Sequence, residues 1–340
     1  MAAVAAVGTS FAQVSITGSL SAATQKNLSG SSQGLAMTDN TFVISAGEDL
    51  GAGMKLSGSF TVENDTQRGA GFTRADQSVV LSTSAYTFAL ANTRSGGNQG
   101  AALVAPANLA DDQWTSAVIS RAAIDVASLT IPINSAFSAS LKYVEGGSNQ
   151  AVSAGATAAA VTYAGAPTAA NKAALAAAIK ADAISGDGAN VPGSTTWTAS
   201  ATYAANGLKV VAQVNQSTYS DNAKAVAALT GVTNPRTLST DLSAVYDLGV
   251  AKVGLGWDAA RRGKQDGTDA AATMFGVSVP MGATTFGLNY GKRDTASFTQ
   301  VAAQYDLSKR TNVNASFGSD TQSGTSGTND QYRLSLNHSF

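Results

Sequence analysis

No cysteine occurs in this chain of 340 residues, and only one histidine, His338. The first absence removes disulfides and thiolate metal sites. The second removes the usual general base, and no nucleophile, base and orienting acid can be assembled around His338, so an enzyme is not expected. Carboxylates cluster nowhere beyond loop pairs such as Asp111-Asp112, so neither a metal nor another cofactor is expected. Charge is also scarce: Asp, Glu, Lys and Arg make up 13 % of the chain and leave a formal net charge of -1. That share is about half the globular norm. A near balance argues against nucleic acid as a partner, which would call for a basic excess. Proline is held to 6 residues. No apolar run reaches the roughly 18 residues of a membrane-crossing helix.

What is present is a period of two. Tyr332, Leu334, Leu336, His338 and Phe340 share one parity, and Arg333, Ser335, Asn337 and Ser339 share the other. A strand that is apolar on one side and polar on the other lies between two media. The pattern recurs from Val14 to Ser21, Lys55 to Val62, Phe137 to Val144, Trp197 to Tyr203, Leu208 to Val214, Leu238 to Tyr246 and Ala251 to Trp257. It returns at Phe275–Val279, Phe286–Tyr290, Val301–Tyr305 and Val313–Phe317. Shorter candidates at Phe42–Ala46, Val79–Leu81, Tyr86–Leu90 and Val118–Val126 bring the count to roughly 16, each near the length a tilted membrane strand needs.

Connections alternate in length. Asp49–Gly53, Ser82–Ser84, Ile131–Asn134, Asn206-Gly207, Asp247–Gly249, Pro280–Gly282 and Asp306–Lys309 carry turn chemistry. Between them lie polar segments near 27–38, 64–74, 95–113, 146–194, 220–236, 260–270 and 319–329, with a brief one near Lys292. Short turns on one side and long loops on the other predict an all-β, antiparallel barrel in an outer membrane. On that assignment Trp114, Trp197 and Trp257, with Tyr143, Tyr219, Tyr290 and Tyr332, fall at the outer strand ends. Tyr86, Tyr203, Tyr246, Tyr305 and Phe340 fall at the periplasmic ends. Two girdles of rings at headgroup height are expected. The Ala-rich stretch Pro167–Asp182, inside the longest loop 146–194, predicts a helix ended near Gly186, and Asn222–Leu229 a second. Residues 1–12 resemble the end of a secretory signal, with cleavage after Ala12, leaving 13–340 as one barrel domain.

Three segments carry a family resemblance. Phe42–Glu63, with Ser45-Ala-Gly-Glu-Asp-Leu-Gly51 before a Gly53-Met-Lys-Leu56 strand, is similar to the second hairpin of Gram-negative general porins. Ala302–Asn312 is similar to that family's penultimate hairpin, and Tyr332–Phe340 resembles its terminal strand. The likeness is strongest to β-proteobacterial and Rhodobacter-type members. It implies a homotrimer of 16-stranded barrels with the third loop folded inward. It also implies a setting of outer-membrane lipid and lipopolysaccharide, recognition of the terminal strand by the barrel-assembly machinery, and passive diffusion of small hydrophilic solutes and ions. Thr41 stands where the family often has an arginine, so the basic side of any constriction must be built elsewhere.

Parity assigns Lys55, Arg121, Asp125, Lys142, Lys209 and Arg333 to the lumen. Arg121 and Lys142 would form a basic wall opposite an inward loop from Arg94 to Gln113, whose only acids are Asp111 and Asp112. Asp125 would partly neutralise Arg121. A mild anion preference is expected of such a constriction. Two other readings stay open: a structural or adhesive surface protein, which the low-charge composition suits, and a substrate-specific channel. The first would want an internal repeat and the second a lumenal track of aromatics.

Overall fold

The computed structural model describes residues 13–26, 32–64, 73–95, 101–106, 122–146, 162, 166, 168–174, 194–219, 237–261, 271–293, 296–321 and 328–340. Among them run sixteen strands: β1 (Gln13–Lys26), β2 (Ser32–Gly51), β3 (Met54–Asn64), β4 (Thr73–Ser82), β5 (Thr87–Ser95), β6 (Ala122–Pro132), β7 (Phe137–Gly146) and β8 (Ser194–Ala205), followed by β9 (Leu208–Tyr219), β10 (Leu238–Asp247), β11 (Lys252–Arg261), β12 (Ala272–Met281), β13 (Thr284–Arg293), β14 (Ala296–Asp306), β15 (Thr311–Thr321) and β16 (Thr328–Ser339). Each pairs antiparallel with its neighbours in sequence, and β16 returns to β1 to close the barrel. Closure leaves no unpaired edge, the condition for a sheet that stands in hydrocarbon.

Register fixes which side chains face the interior. Ala272 and Met274 are buried with Ala102 and Leu103, which lie inside the barrel. From them the row Ala272↔Asp258↔Asp241↔Gln213↔Ser200↔Ser140 marks the inner face around to β7. The opposite parity holds Leu255, Trp257, Tyr290, Val301, Phe317, Leu334 and Leu336, all exposed. In water such a coat would be a large aggregation surface; around a closed barrel it is the lipid face. Inside, hydroxyls pair across strands, as in Ser59 to Ser78 at 2.8 Å, Ser140 to Ser200 at 2.7 Å and Thr196 to Ser217 at 2.8 Å.

The two ends differ as expected. The seven connections at one end span two to four residues each; at the other end one, from β13 to β14, spans only 294–295, while the one from β5 to β6 spans residues 96–121 and that from β7 to β8 residues 147–193. One two-residue turn holds Asn206 and Gly207 at φ 53° and 77°, both left-handed, which suits a tight hairpin. The Trp197 and Tyr143 rings meet at a tilt, 5.1 Å apart, near the long-loop ends, and those of Tyr203 and Phe137 likewise at 4.8 Å near the short-turn ends. Trp257 sits near the middle of β11, short of the long-loop end expected for it, while Tyr246, Tyr305 and Phe340 lie at the short-turn ends. Trp114 lies outside the described residues.

The seam uses the last residue. Phe340 exchanges backbone hydrogen bonds with Gly18, N to O at 3.1 Å and 3.2 Å, and its ring meets Phe42 at 5.7 Å. A Cβ on Gly18 would lie 2.7 Å from that ring, so glycine there lets the terminal Phe lie flat across β1.

Strand limits depart most from the sequence reading in two places. Residues 32–38, expected in a polar loop, extend β2 because they pair with β1, as in Ala36↔Ala23 and Ser32↔Lys26. Strand β6 runs from Ala122 to Pro132 rather than Val118 to Val126, and its turn is 133–136, where Asn134 Oδ1 accepts the Ala136 and Phe137 amides at 2.9 Å. Proline is tolerated at that strand end because no ladder donor is needed there. Of the expected helix, 169–174 is helical, with Thr168 Oγ1 capping Asn171 N at 3.2 Å. Its remainder, the helix at 222–229 and residues 1–12 fall outside the described residues.

Candidate functional site

The barrel interior is not open along its whole circumference. Ala101–Pro106, from the connection between β5 and β6, lies against the inner wall of β11, β12 and β13. Three glycines from adjacent strands make this approach possible. A Cβ at Gly254 or Gly276 would overlap the Ala102 carbonyl oxygen, and at Gly276 it would also lie 2.7 Å from Val104 N. At Gly287 it would lie 2.5 Å from both Ala105 Cβ and Pro106 Cδ. Removing side chains from one patch of wall lets a backbone pack where side chains would otherwise stand.

Polar and apolar contacts secure the segment. Asn289 Oδ1 accepts the Ala105 amide at 3.1 Å, and Asn289 Nδ2 donates to Gln300 Oε1 at 3.2 Å; Asn289 is fully buried. Ala102 and Leu103 join Ala272, Met274, Ala296 and Phe298 in the one apolar cluster among the described residues. The Phe298 ring covers Gly291, which has no side chain to displace it.

Beside this cluster the inner wall carries charge that water does not reach. Arg293 donates to Asp258 Oδ2, and their side chains are 8 % and 0 % exposed. Asp241 accepts from Asn215 Nδ2 at 2.7 Å and Gln213 Nε2 at 3.1 Å and is 2 % exposed. Asp320 is buried as well. An ion in the lumen therefore meets these acids through protein rather than directly. Lys55 and Lys209 instead are exposed on the lumenal side near the short-turn ends of β3 and β9.

Lys142 faces the lumen from the middle of β7, flanked by Ser128 on β6 and Thr198 on β8. Arg333 lies on the inner face of β16. Asp125 does not join them. Its partners are Asn92 on β5 and Glu145 on β7, it shares the parity of the lipid-facing Leu129, and Asn92 Nδ2 donates to its Oδ1 at 2.7 Å. The expected neutralisation of Arg121 by Asp125 is withdrawn, because an unbroken ladder from Ile124 to Pro132 sets Asp125 on the outer wall. The backbone of Arg94 pairs with Ala123. Arg121, Asp111 and Asp112 lie outside the described residues. Sequence reasoning missed Gly254, Gly276, Gly287, Asn289 and the Asp258–Arg293 pair. The signal was an inward-facing glycine in each of three successive strands, aligned to within two residues of register and visible only once register is known.

Comparison with known proteins agrees with this architecture. A family model described as Gram-negative porin matches residues 1–325. Among solved structures, an anion-selective porin from Comamonas acidovorans shares 18 % identity at a TM-score of 0.61, with 97 % of this chain and 100 % of that one covered. A triple mutant of the Rhodopseudomonas blastica porin shares 12 % identity at a TM-score of 0.58, covering 96 % and 100 %. Identities this low speak for the fold alone. A search of curated proteins finds no match.

Proposed function

This chain belongs to the Gram-negative porin family, and from that premise we propose that its outer-membrane diffusion channel works as a homotrimer with a mild preference for anions. Passage is physical: small hydrophilic solutes and ions cross through water, and no bond is made or broken. The observation that carries the reading is the segment Ala101–Pro106 inside the closed barrel, which narrows the lumen from the β11–β13 side.

The charge preference rests on one accessible mid-strand cation and three covered acids. Asp241, Asp258 and Asp320 are covered, whereas Lys142 stands on the wall that lacks the inward segment, with hydroxyl neighbours on both sides. A fixed cation beside a narrow aqueous path lowers the energy of passing anions and raises that of cations. Arg121, expected on this wall, shares the parity of Asp125, which faces outward, so the reading rests on Lys142, with Arg94, Asp111 and Asp112 assigned on or beside the inward loop. That one solved relative in fold is an anion-selective porin agrees with this reading. Lipopolysaccharide would surround the outer girdle, and the terminal strand ending in Phe340 would be the segment that the barrel-assembly machinery reads.

Reversal potentials in planar bilayers under a salt gradient test the selectivity. A potential of the anion-permeable sign is expected. A cation-permeable sign would overturn the assignment of Lys142. Unboiled gels test the oligomer, with a band near three times the 34.1 kDa chain expected, collapsing on heating.

A further inference from the structure

We infer that the width of this channel is set by a docking track on the lumenal wall, Gly254, Gly276 and Gly287 beneath the loop and Asn289 clamping it, so that these four are positioning residues for permeation. The inference rests on the diffusion-channel reading and deepens it: it names what holds the constriction at its distance from the wall.

Two different physical requirements meet at this track. The first is steric. The loop backbone at Ala102 occupies the volume where side chains of Gly254 and Gly276 would stand, and Ala105 with Pro106 occupies that of Gly287. Each missing Cβ lets the loop sit closer to the wall by about an ångström, the difference between an overlap and an ordinary carbon contact. The glycines are adjacent across the sheet, since Gly254 pairs with Gly276 and Ser278, two residues along, pairs with Gly287. They form one oblique groove rather than three isolated gaps.

The second requirement is a bond for the loop backbone. A loop pressed on the face of a sheet cannot use the ladder, whose donors and acceptors are spent within the wall. Asn289 supplies the missing partner: its Oδ1 takes the Ala105 amide at 3.1 Å, and Gln300 on the next strand holds its other end at 3.2 Å. Both amides are buried, so the hydrogen bond competes with little water. Leu103, seated with Met274 and Phe298, gives this stretch of loop an apolar footing beside the polar clamp.

The two parts make different predictions. Gly254→Ala, whose added methyl has only Ala102 backbone atoms as its nearest neighbours, leaves Asn289 alone but pushes the loop toward the lumen, so the single-channel conductance should fall by roughly 20–40 %, as expected when one side of a narrow aqueous pore advances by about an ångström. Asn289→Leu keeps the volume but removes the acceptor, so the loop loses its fixed position and open-channel current noise should rise severalfold. Asn289→Asp retains the acceptor for Ala105 N and should restore quiet channels. Gly47→Ala serves as the control, because it lies on the lumenal face of β2 with no atom closer than 3.8 Å to the added methyl. It should leave conductance and noise unchanged.

Each variant is refolded, shown to be a heat-modifiable barrel, and recorded in planar bilayers. Loss of conductance in Gly254→Ala together with noise confined to Asn289→Leu supports the track. Wild-type steps and wild-type noise in both would overturn it, as would equal noise in Asn289→Leu and Asn289→Asp. If the unmodified protein forms no channels, the diffusion reading itself fails and the track falls with it.

Discussion

Lys142 allows a quantitative test. It projects from mid-strand on β7 between Ser128 and Thr198, and no acid among the described residues pairs with it. An ion passing at about 5 Å through water feels about 0.8 kcal/mol from one fixed charge, reduced to about 0.5 kcal/mol by salt at roughly 0.1 M. That is about a twofold gain for an anion and a twofold loss for a cation, so Lys142→Ala should lower the anion-to-cation permeability ratio about fourfold. In a tenfold gradient, from about 0.1 M to about 0.01 M so that the Debye length stays at roughly 10–30 Å, the reversal potential should move by roughly 20–30 mV toward cation permeability. Lys142→Glu should move it further in the same direction, and Lys142→Arg should leave it in place. An unchanged reversal potential in Lys142→Glu would refute the reasoning, because no nearby path could ignore a reversal of sign.

Asp258→Ala would leave the buried Arg293 guanidinium without its carboxylate, and a loss of about 3–5 kcal/mol is expected, read as a lower midpoint for heat or urea unfolding of the barrel. Gly207→Ala would force a side chain into φ 77° and to within 2.7 Å of the Asp247 carbonyl oxygen, costing about 1–3 kcal/mol by the same measurement. Phe340→Ala removes the ring that covers Gly18 and meets Phe42 at the seam; about 1–2 kcal/mol of barrel stability should go with it, seen as loss of heat resistance in unboiled gels.

How much of this was legible in the chain depends on the range of the physics involved. Alternation is local, so Tyr332–Phe340 announced its two faces without any partner strand. Turn chemistry is local too, and Asn206-Gly207 marked its hairpin. The face of Asp125 was not legible, because Ile124 and Val126 are as apolar as Ala127 and Leu129, so the alternation has no sign there. Only pairing with Glu145 and Asn92 decides it. Residues 32–38 read as loop because Gly34, Ser32 and Gln33 carry no apolar signal, and β1 recruits them nevertheless. The docking track was hidden for the same reason. Gly254, Gly276 and Gly287 look like ordinary strand glycines until register aligns them, and an inward loop has no periodicity of its own. What the alternation does contain is the solvent on each side, and that was enough for the architecture.

The most direct measurement is the current carried by the purified, unmodified protein in a planar bilayer. A closed wall around water, narrowed by residues 101–106, predicts discrete conductance steps that rise in proportion to the bulk salt conductivity. Inserted, heat-modifiable barrels that carry no current would contradict it, since a lumen filled by protein would conduct nothing.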